Sequence, residues 1–172
     1  MMSTHNRVRR LRRGLDRIAV LFHEKRRYPE IVKVTRRLLS EFPGVVPLLV
    51  YKAMAIQQLD EEAAGRLATL GEAFDALSLA VELDPQSVDA LTELGFYLYA
   101  MQNDANRALD VFERGIRIGA ESLREAYVGR VKCLLELRRR SAAARALSEA
   151  TRLFPRDKAI RELKREARLN HN

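Results

Sequence analysis

Two consecutive stretches of this chain, residues 91–115 and 127–155, place small and large apolar residues in the same order. Spacings of three, four and seven residues put the side chains on one stripe of each helix. The first copy consists of Leu91, Leu94, Gly95, Leu98, Ala108, Phe112 and Gly115. The second consists of Tyr127, Val131, Leu134, Ala143, Leu147, Ala150 and Pro155. This order predicts repeated pairs of helices, because small residues let helix axes approach while large residues fill the remaining gaps.

Two further copies of the pattern precede these. One consists of Leu15, Ile18, Ala19, Phe22, Ile31, Thr35, Leu38 and Pro43; the other of Leu49, Ala53, Ile56, Ala73, Leu77, Ala80 and Pro85. The closing prolines fall at positions 43, 85 and 155. The longer interval is twice a unit of about 35 residues, which is the length of a helical repeat. We therefore expect four repeats.

This succession of sizes, with a closing proline, resembles the tetratricopeptide repeat. The resemblance implies an all-α, right-handed α-solenoid of about four helix-turn-helix repeats and a C-terminal capping helix, since terminal repeats need a polar outer face. We expect a flexible N-terminus at residues 1–6, one domain over residues 7–168 and a flexible tail at residues 169–172. Within the domain we expect repeats at about 12–45, 46–87, 88–122 and 123–157 and a cap at 158–168.

The second repeat departs from the family pattern by about eight extra residues between its two helices. Asp60 looks like a helix cap, and acidic residues in the next turn suit the positive end of a helix dipole. The sequence therefore predicts a lengthened helix from Glu61 to Leu83, in spite of Gly65 and Gly71 within it. Either the extra length is padding at a repeat edge, or it projects toward a partner.

The composition and the missing motifs exclude several classes of protein. A single cysteine forbids an intrachain disulfide, so we expect a reducing, cytoplasmic location. The sequence has no run of about 18 apolar residues, so we expect no transmembrane helix. The sequence contains no phosphate-binding loop, no His-Glu-x-x-His and no Gly-x-Ser-x-Gly. We therefore predict a protein that is not an enzyme, with no catalytic residues, no metal site and no cofactor.

The resemblance also implies a binding surface, because the first helix of each family repeat lines a concave groove. Its second, fifth, ninth and twelfth positions predict a partner-binding groove of Val50, Met54, Gln57, Asp89, Thr92, Phe96, Tyr99, Val128, Lys132 and Leu135. The remaining corresponding slots hold Arg13, Asp16, Val20, His23, Pro47 and Glu125. Family members that grip a C-terminal carboxylate use Lys, Arg and Asn at sites where this chain has Asp16, Val20, Tyr51, Asp89 and Glu93. We therefore predict an adaptor for a protein or peptide segment with apolar anchors and some basic residues.

The charge distribution leaves two alternatives open. Residues 1–45 hold 12 basic against 4 acidic side chains, residues 46–122 hold 5 against 13, and residues 123–172 hold 14 against 6. A basic patch of Arg7, Arg9, Arg10, Arg12, Arg13 and Arg17 suits nucleic acid or an anionic surface, but no aromatic stacking platform accompanies it, which disfavours single-strand binding. Basic ends docking on acidic middles of neighbouring copies would instead give a self-associating structural subunit.

Overall fold

A computed structural model describes residues 4–60 and 62–169 of the chain, and within them every regular element is an α-helix. The helices are α1 (Thr4–His23), α2 (Tyr28–Glu41), α3 (Val46–Gln57), α4 (Leu70–Leu83), α5 (Val88–Met101), α6 (Ala105–Glu136), α7 (Arg140–Leu153) and α8 (Lys158–Leu169). They form two compact units, residues 1–116 and 117–172. None of the helices in the described ranges is both long and apolar enough to cross a lipid bilayer. The predicted all-α helical repeat class is confirmed.

In residues 1–116, each helix from α1 to α4 packs against the next one along the chain. The helix α3 contacts α2 and α4, its neighbours along the chain, and also α1 and α5. The first helices of three successive pairs therefore lie side by side. Their contact residues are the small and large apolar side chains of the repeat pattern, including the fully buried Ile18, Ala53 and Leu91.

Three connections between helices have the same form. Four residues separate α2 from α3, α4 from α5 and α7 from α8, and the second of the four is Pro43, Pro85 or Pro155. Proline cannot continue the preceding helix because it lacks an N–H donor. Side-chain oxygens then cap two of the following helices, where Ser87 accepts from Ala90 N at 3.3 Å and Asp157 from Ile160 N at 3.0 Å.

The other type of connection turns on a residue with left-handed backbone. Arg26, Asn103 and Arg138 have φ values of 49°, 52° and 54°, and each lies two residues before the next helix begins. A left-handed residue is a common way to end a helix, with glycine or asparagine favoured there. The shared position shows that the joints α1–α2, α5–α6 and α6–α7 are equivalent turns.

The predicted helix from Glu61 to Leu83 is wrong in its first half. Asp60 does cap a turn, since its Oδ1 accepts from Ala63 N at 2.8 Å, but α4 begins only at Leu70. The left-handed Gly65, with φ 77°, reverses the chain, and its N donates to Ala68 O at 3.0 Å. Thr69 then caps α4 by accepting from Glu72 N. Glu61 itself lies outside the described residues.

The predicted boundary between the third and fourth repeats, at residues 122 and 123, does not coincide with the end of a helix. One helix, α6, runs without interruption through it. The reason is that this junction has no proline, whereas the three other closing positions do. Gly119 weakens a helix by only about 1 kcal/mol relative to alanine, which neighbouring turns can absorb.

The ends of the chain agree only in part with the expected flexible segments. Residues 4–6 belong to α1, and Leu169 belongs to α8, so neither is a loose segment. Residues 1–3 and 170–172, the remainder of the two expected tails, lie outside the described residues. The expected cap is present as α8, whose Ile160 and Leu163 are buried in one cluster with Leu147 and Ala150 of α7.

An ion cluster joins three helices of residues 1–116. The Glu72 carboxylate on α4 receives Arg36 Nη2 from α2 at 2.7 Å and Lys52 Nζ from α3 at 2.8 Å. Burial alone would raise the pKa of Glu72, but the hydrogen bonds and charges of Arg36 and Lys52 bring that pKa below its ordinary value. The cluster therefore stabilises the packing of α2, α3 and α4 only while Glu72 is ionised.

Candidate binding cleft

A cleft of about 280 Å³ opens where α1, α3 and α5 lie side by side in residues 1–116. It is lined by His23, Val46, Pro47, Val50, Tyr51, Met54, Ser87, Asp89, Thr92 and Glu93. Clefts that enclose a whole small-molecule ligand usually measure about 300–1,000 Å³. This one is therefore of a size for one or two side chains of a larger partner.

The wall contributed by α3 is apolar. Val50 is only 7% exposed and Met54 is half-buried, and they lie one turn apart on the helix. Methionine has a flexible, polarizable side chain that adapts to partners of different shape. This wall can therefore receive an apolar anchor without fixing its identity.

One end of the cleft is closed by aromatic rings. Tyr51 meets the ring of Phe22 edge to face at a centroid distance of 5.9 Å and that of His23 at 6.4 Å. Phe22 in turn meets Tyr28 at 5.5 Å. Such pairs add about 0.5–1.5 kcal/mol beyond the area that they bury. The rings therefore hold α1 and α3 in a fixed relation at this end.

The α5 side of the cleft is acidic. Burial raises the pKa of Glu93 above its ordinary value, and the nearby Asp89 carboxylate raises it further. Within the described parts of the chain, no cation or hydrogen-bond donor acts on this carboxyl group. A half-buried carboxyl without a partner is unfavourable when ionised, so a cation brought into the cleft would relieve that cost.

The structure brings four of the ten predicted groove residues together in this cleft: Val50, Met54, Asp89 and Thr92. His23 and Pro47, at corresponding slots, line it as well. Gln57 lies outside the cleft, with its Nε2 donating to Ala53 O at 3.3 Å. Residues from the middle of α3 and the start of α5 therefore share one cleft.

Two predicted aromatic residues of the groove lie elsewhere on α5. Phe96 is 54% exposed and meets the ring of Phe112 on α6 edge to face, with centroids 5.1 Å apart. Tyr99 is 62% exposed. They form an apolar surface of their own, which does not line the cleft.

The last three predicted groove residues belong to residues 117–172. Val128 is half-buried and packs with the cluster around Val131, and Lys132 is exposed. Leu135 lines a second cleft, which is formed by α6, α7 and α8 within this unit. The sequence did not predict that cleft. The run of arginines from Arg138 to Arg140, two of which line it, is the sequence feature that could have indicated it.

About half of the predicted basic patch is engaged by α2. Arg10 pairs with Glu41 at 2.7 Å, Arg17 pairs with Glu30, and Arg7 donates to the Glu41 carbonyl at 3.2 Å. The hydrogen bond from Arg17 lowers the pKa of Glu30, since it favours the ionised carboxylate. The other three arginines, at positions 9, 12 and 13, are exposed. The patch therefore offers less unneutralised charge than its sequence indicates.

No family model matches the chain. No curated protein matches it either.

Proposed function

We propose that this protein is a non-catalytic adaptor of the tetratricopeptide type, which binds a protein segment through the cleft between α1, α3 and α5. The single observation that carries the proposal is Glu93, a half-buried carboxyl group beside Asp89 with no cation acting on it from the described residues. A partner that supplies a lysine or arginine would remove this unfavourable burial. The apolar wall of Val50 and Met54 would hold a neighbouring apolar side chain at the same time.

The size and position of the cleft support a peptide rather than a small molecule. A volume of about 280 Å³ suits one anchor, and the aligned first helices supply a surface on either side of it. The chemistry of the partner follows from the lining: one large apolar residue, with a basic residue within one turn of a helix or two residues along an extended chain.

The basic patch supports the nucleic-acid alternative less well. Three of its six arginines interact with backbone or carboxylate oxygens of α2 or its flanks, which reduces the field available to phosphates. The patch is therefore better interpreted as part of the packing of α1 on α2.

Fluorescence anisotropy with labelled 12-residue peptides tests the adaptor proposal. Each peptide carries one central Leu, Ile or Phe and two Lys or Arg residues three or four positions away; a matched series has Glu in place of the basic residues. We expect members of the basic series to bind and their acidic counterparts to bind at least tenfold more weakly. Equal binding of the two series, or no binding by either, would contradict the proposal.

A pair of variants places the binding in the cleft. Met54→Arg fills the cleft with a cation, whereas Met101→Arg makes the same change at an exposed position of α5 that does not line it. The first variant should abolish binding of the basic peptides and the second should leave it within about twofold. If both variants bind as the native protein does, the segment binds elsewhere.

A further inference from the structure

The unit of residues 117–172 contains a cleft of about 940 Å³, much larger than the one between α1, α3 and α5. It is lined by Leu135, Arg138, Arg140, Ala143, Ala144, Leu147, Ser148, Thr151, Arg152, Lys164 and Ala167. The residues come from the end of α6, from one face of α7 and from α8. Small residues on α7 and α8 account for the space, since the alanines leave a gap where larger side chains would meet.

The floor of this cleft is apolar. Leu147 is 7% exposed and Ala143 is 2% exposed, so both present apolar surface at its base. Leu135 and Ala167 continue that surface on the neighbouring helices. A ligand that fills the cleft must therefore contribute apolar atoms as well as charge.

The rim of the cleft is basic, and among the residues with described positions none that lines it is acidic. Arg138 lies in the turn before α7, Arg140 at the start of α7, Arg152 near the end of α7, and Lys164 on α8. The whole unit has 15 basic against 7 acidic side chains, so it accounts for the net charge of +8. The field in the cleft therefore favours an anion.

The carboxylates of this unit that form ion pairs use other cations. Glu149 pairs with Arg130 at 3.1 Å, and Asp157 with Arg124 at 3.6 Å. Glu162 approaches Lys158 at 3.9 Å. Among the residues with described positions, none of the four rim cations has a carboxylate oxygen within 4.0 Å. Their charges remain available to a partner.

We infer that this cleft is a second binding site, which takes an acidic amphipathic protein segment. Apolar side chains of the segment rest on Leu147 and Ala143, and carboxylates on its flanks pair with Arg140 and Arg152. Bidentate arginine–carboxylate pairing supplies orientation as well as attraction. The volume holds several side chains, as one face of a short helix requires.

Two other anionic partners fit the cleft less well. None of the described residues that line it is aromatic, so these residues supply no platform for stacking the bases of single-stranded nucleic acid. A membrane surface is bound by apolar side chains that project into the headgroup region, whereas here the apolar surface lies at the base of a concavity. An amphipathic peptide satisfies both the floor and the rim.

This site is independent of the adaptor cleft and opposite to it in charge. The first cleft requires a cation beside an apolar anchor, and the second requires anions around an apolar face. The two sites therefore select different segments.

Selection from a random 16-residue peptide library displayed on phage, with the full chain immobilised, tests the inference. We expect one enriched class to be net acidic, with apolar residues recurring three or four positions apart. Synthetic members of this class are then measured by fluorescence anisotropy at 50 and 300 mM salt, where binding should weaken as salt rises.

Two charge-reversed double variants locate the site. Arg140→Glu with Arg152→Glu reverses two rim cations, and Arg145→Glu with Arg156→Glu makes the same change at exposed positions of the unit that do not line the cleft. The rim variant should weaken the acidic peptides at least tenfold, and the control variant should change them less than threefold. If the rim variant loses helicity by circular dichroism, the paired alanine substitutions replace it.

Three results would overturn the inference. One is a selection that yields no acidic class. Another is equal weakening of the acidic peptides by the rim and control variants. The third is retention of single-stranded RNA or anionic vesicles that depends on Arg140 and Arg152 without any peptide binding there. Met54→Arg should leave the acidic class unaffected, so failure at either cleft is distinguishable from failure at the other.

Discussion

Gly95 on α5 faces the ring of Phe112 on α6, and adding one methyl group there should destabilise the protein. An ideal Cβ at this position would lie 2.6 Å from Cε1 of Phe112 and 2.8 Å from its Cδ1 and Cζ. Carbon atoms in contact prefer about 3.5–4.0 Å, so the ring must retreat by about 0.9 Å. That ring also supports Phe96, which must move with it or lose its contact.

The magnitude follows from two opposing effects of Gly95→Ala. Overpacking of a core contact costs about 1–3 kcal/mol. Replacing glycine by alanine within a helix raises the free energy of unfolding by about 1 kcal/mol, because glycine is a poor helix former. We therefore expect the free energy of unfolding to fall by up to about 2 kcal/mol, with the slope against urea unchanged.

A matched substitution in the same unit isolates the contact. At Gly115 an added Cβ would meet only the Cβ of Leu91 at 3.5 Å, which is ordinary contact, so Gly115→Ala should stabilise by up to about 1 kcal/mol. Urea unfolding monitored by circular dichroism at 222 nm measures both. Phe112→Leu in the Gly95→Ala background should restore part of the loss. If Gly95→Ala proves as stable as Gly115→Ala, the close approach of α5 and α6 is not as described.

Two carboxyl groups should give opposite dependences of stability on pH. Glu72 has a lowered pKa, so its contribution to stability is present above its ordinary pKa and is lost as pH falls through the folded-state value. Glu72→Gln should therefore lower the free energy of unfolding by about 1–3 kcal/mol near pH 7 and flatten the acid side of the stability profile. Glu82→Gln on the same helix should do neither. Glu93 has a raised pKa, so the folded state binds the proton more tightly, and stability falls as pH rises from the ordinary pKa to the raised pKa. Glu93→Gln should remove that fall and be more stable than the native protein at pH 7. Chemical unfolding from pH 3 to 8 measures both effects, and a Glu93→Gln profile parallel to that of the native protein would contradict the second.

The parts of the fold that were predictable are those in which a local signal and the packing agree. Pro29 and Pro47 open helices where the sequence places them, and the alternation of small and large residues identifies the buried stripe of each helix. The cleft was predictable to the extent that helical spacing fixes a face. Val50 and Met54 lie one turn apart on α3 and therefore share that wall.

The errors arise where two local signals compete. Asp60 offers a helix start, but Gly65 and Thr69 offer a reversal and a second start, and the second prevails because it seats Ala68 in the core. Ser122 is typical of a helix start, yet without a proline the preceding helix continues through it. Spacing alone also cannot tell which residues of a face line a concavity, which is why Phe96 was assigned to the groove.

The left-handed turns make stability and binding compete at one residue. A left-handed backbone conformation costs a non-glycine residue roughly 1–2 kcal/mol, whereas glycine adopts it without this cost. At the α1–α2 turn, Arg26→Gly gives up an exposed side chain that lines neither cleft. At the α6–α7 turn, the same relief through Arg138→Gly removes a cation from the rim of the larger cleft. Selection for thermal tolerance alone would therefore favour glycine at both turns, whereas selection for an acidic partner would keep arginine only at the second.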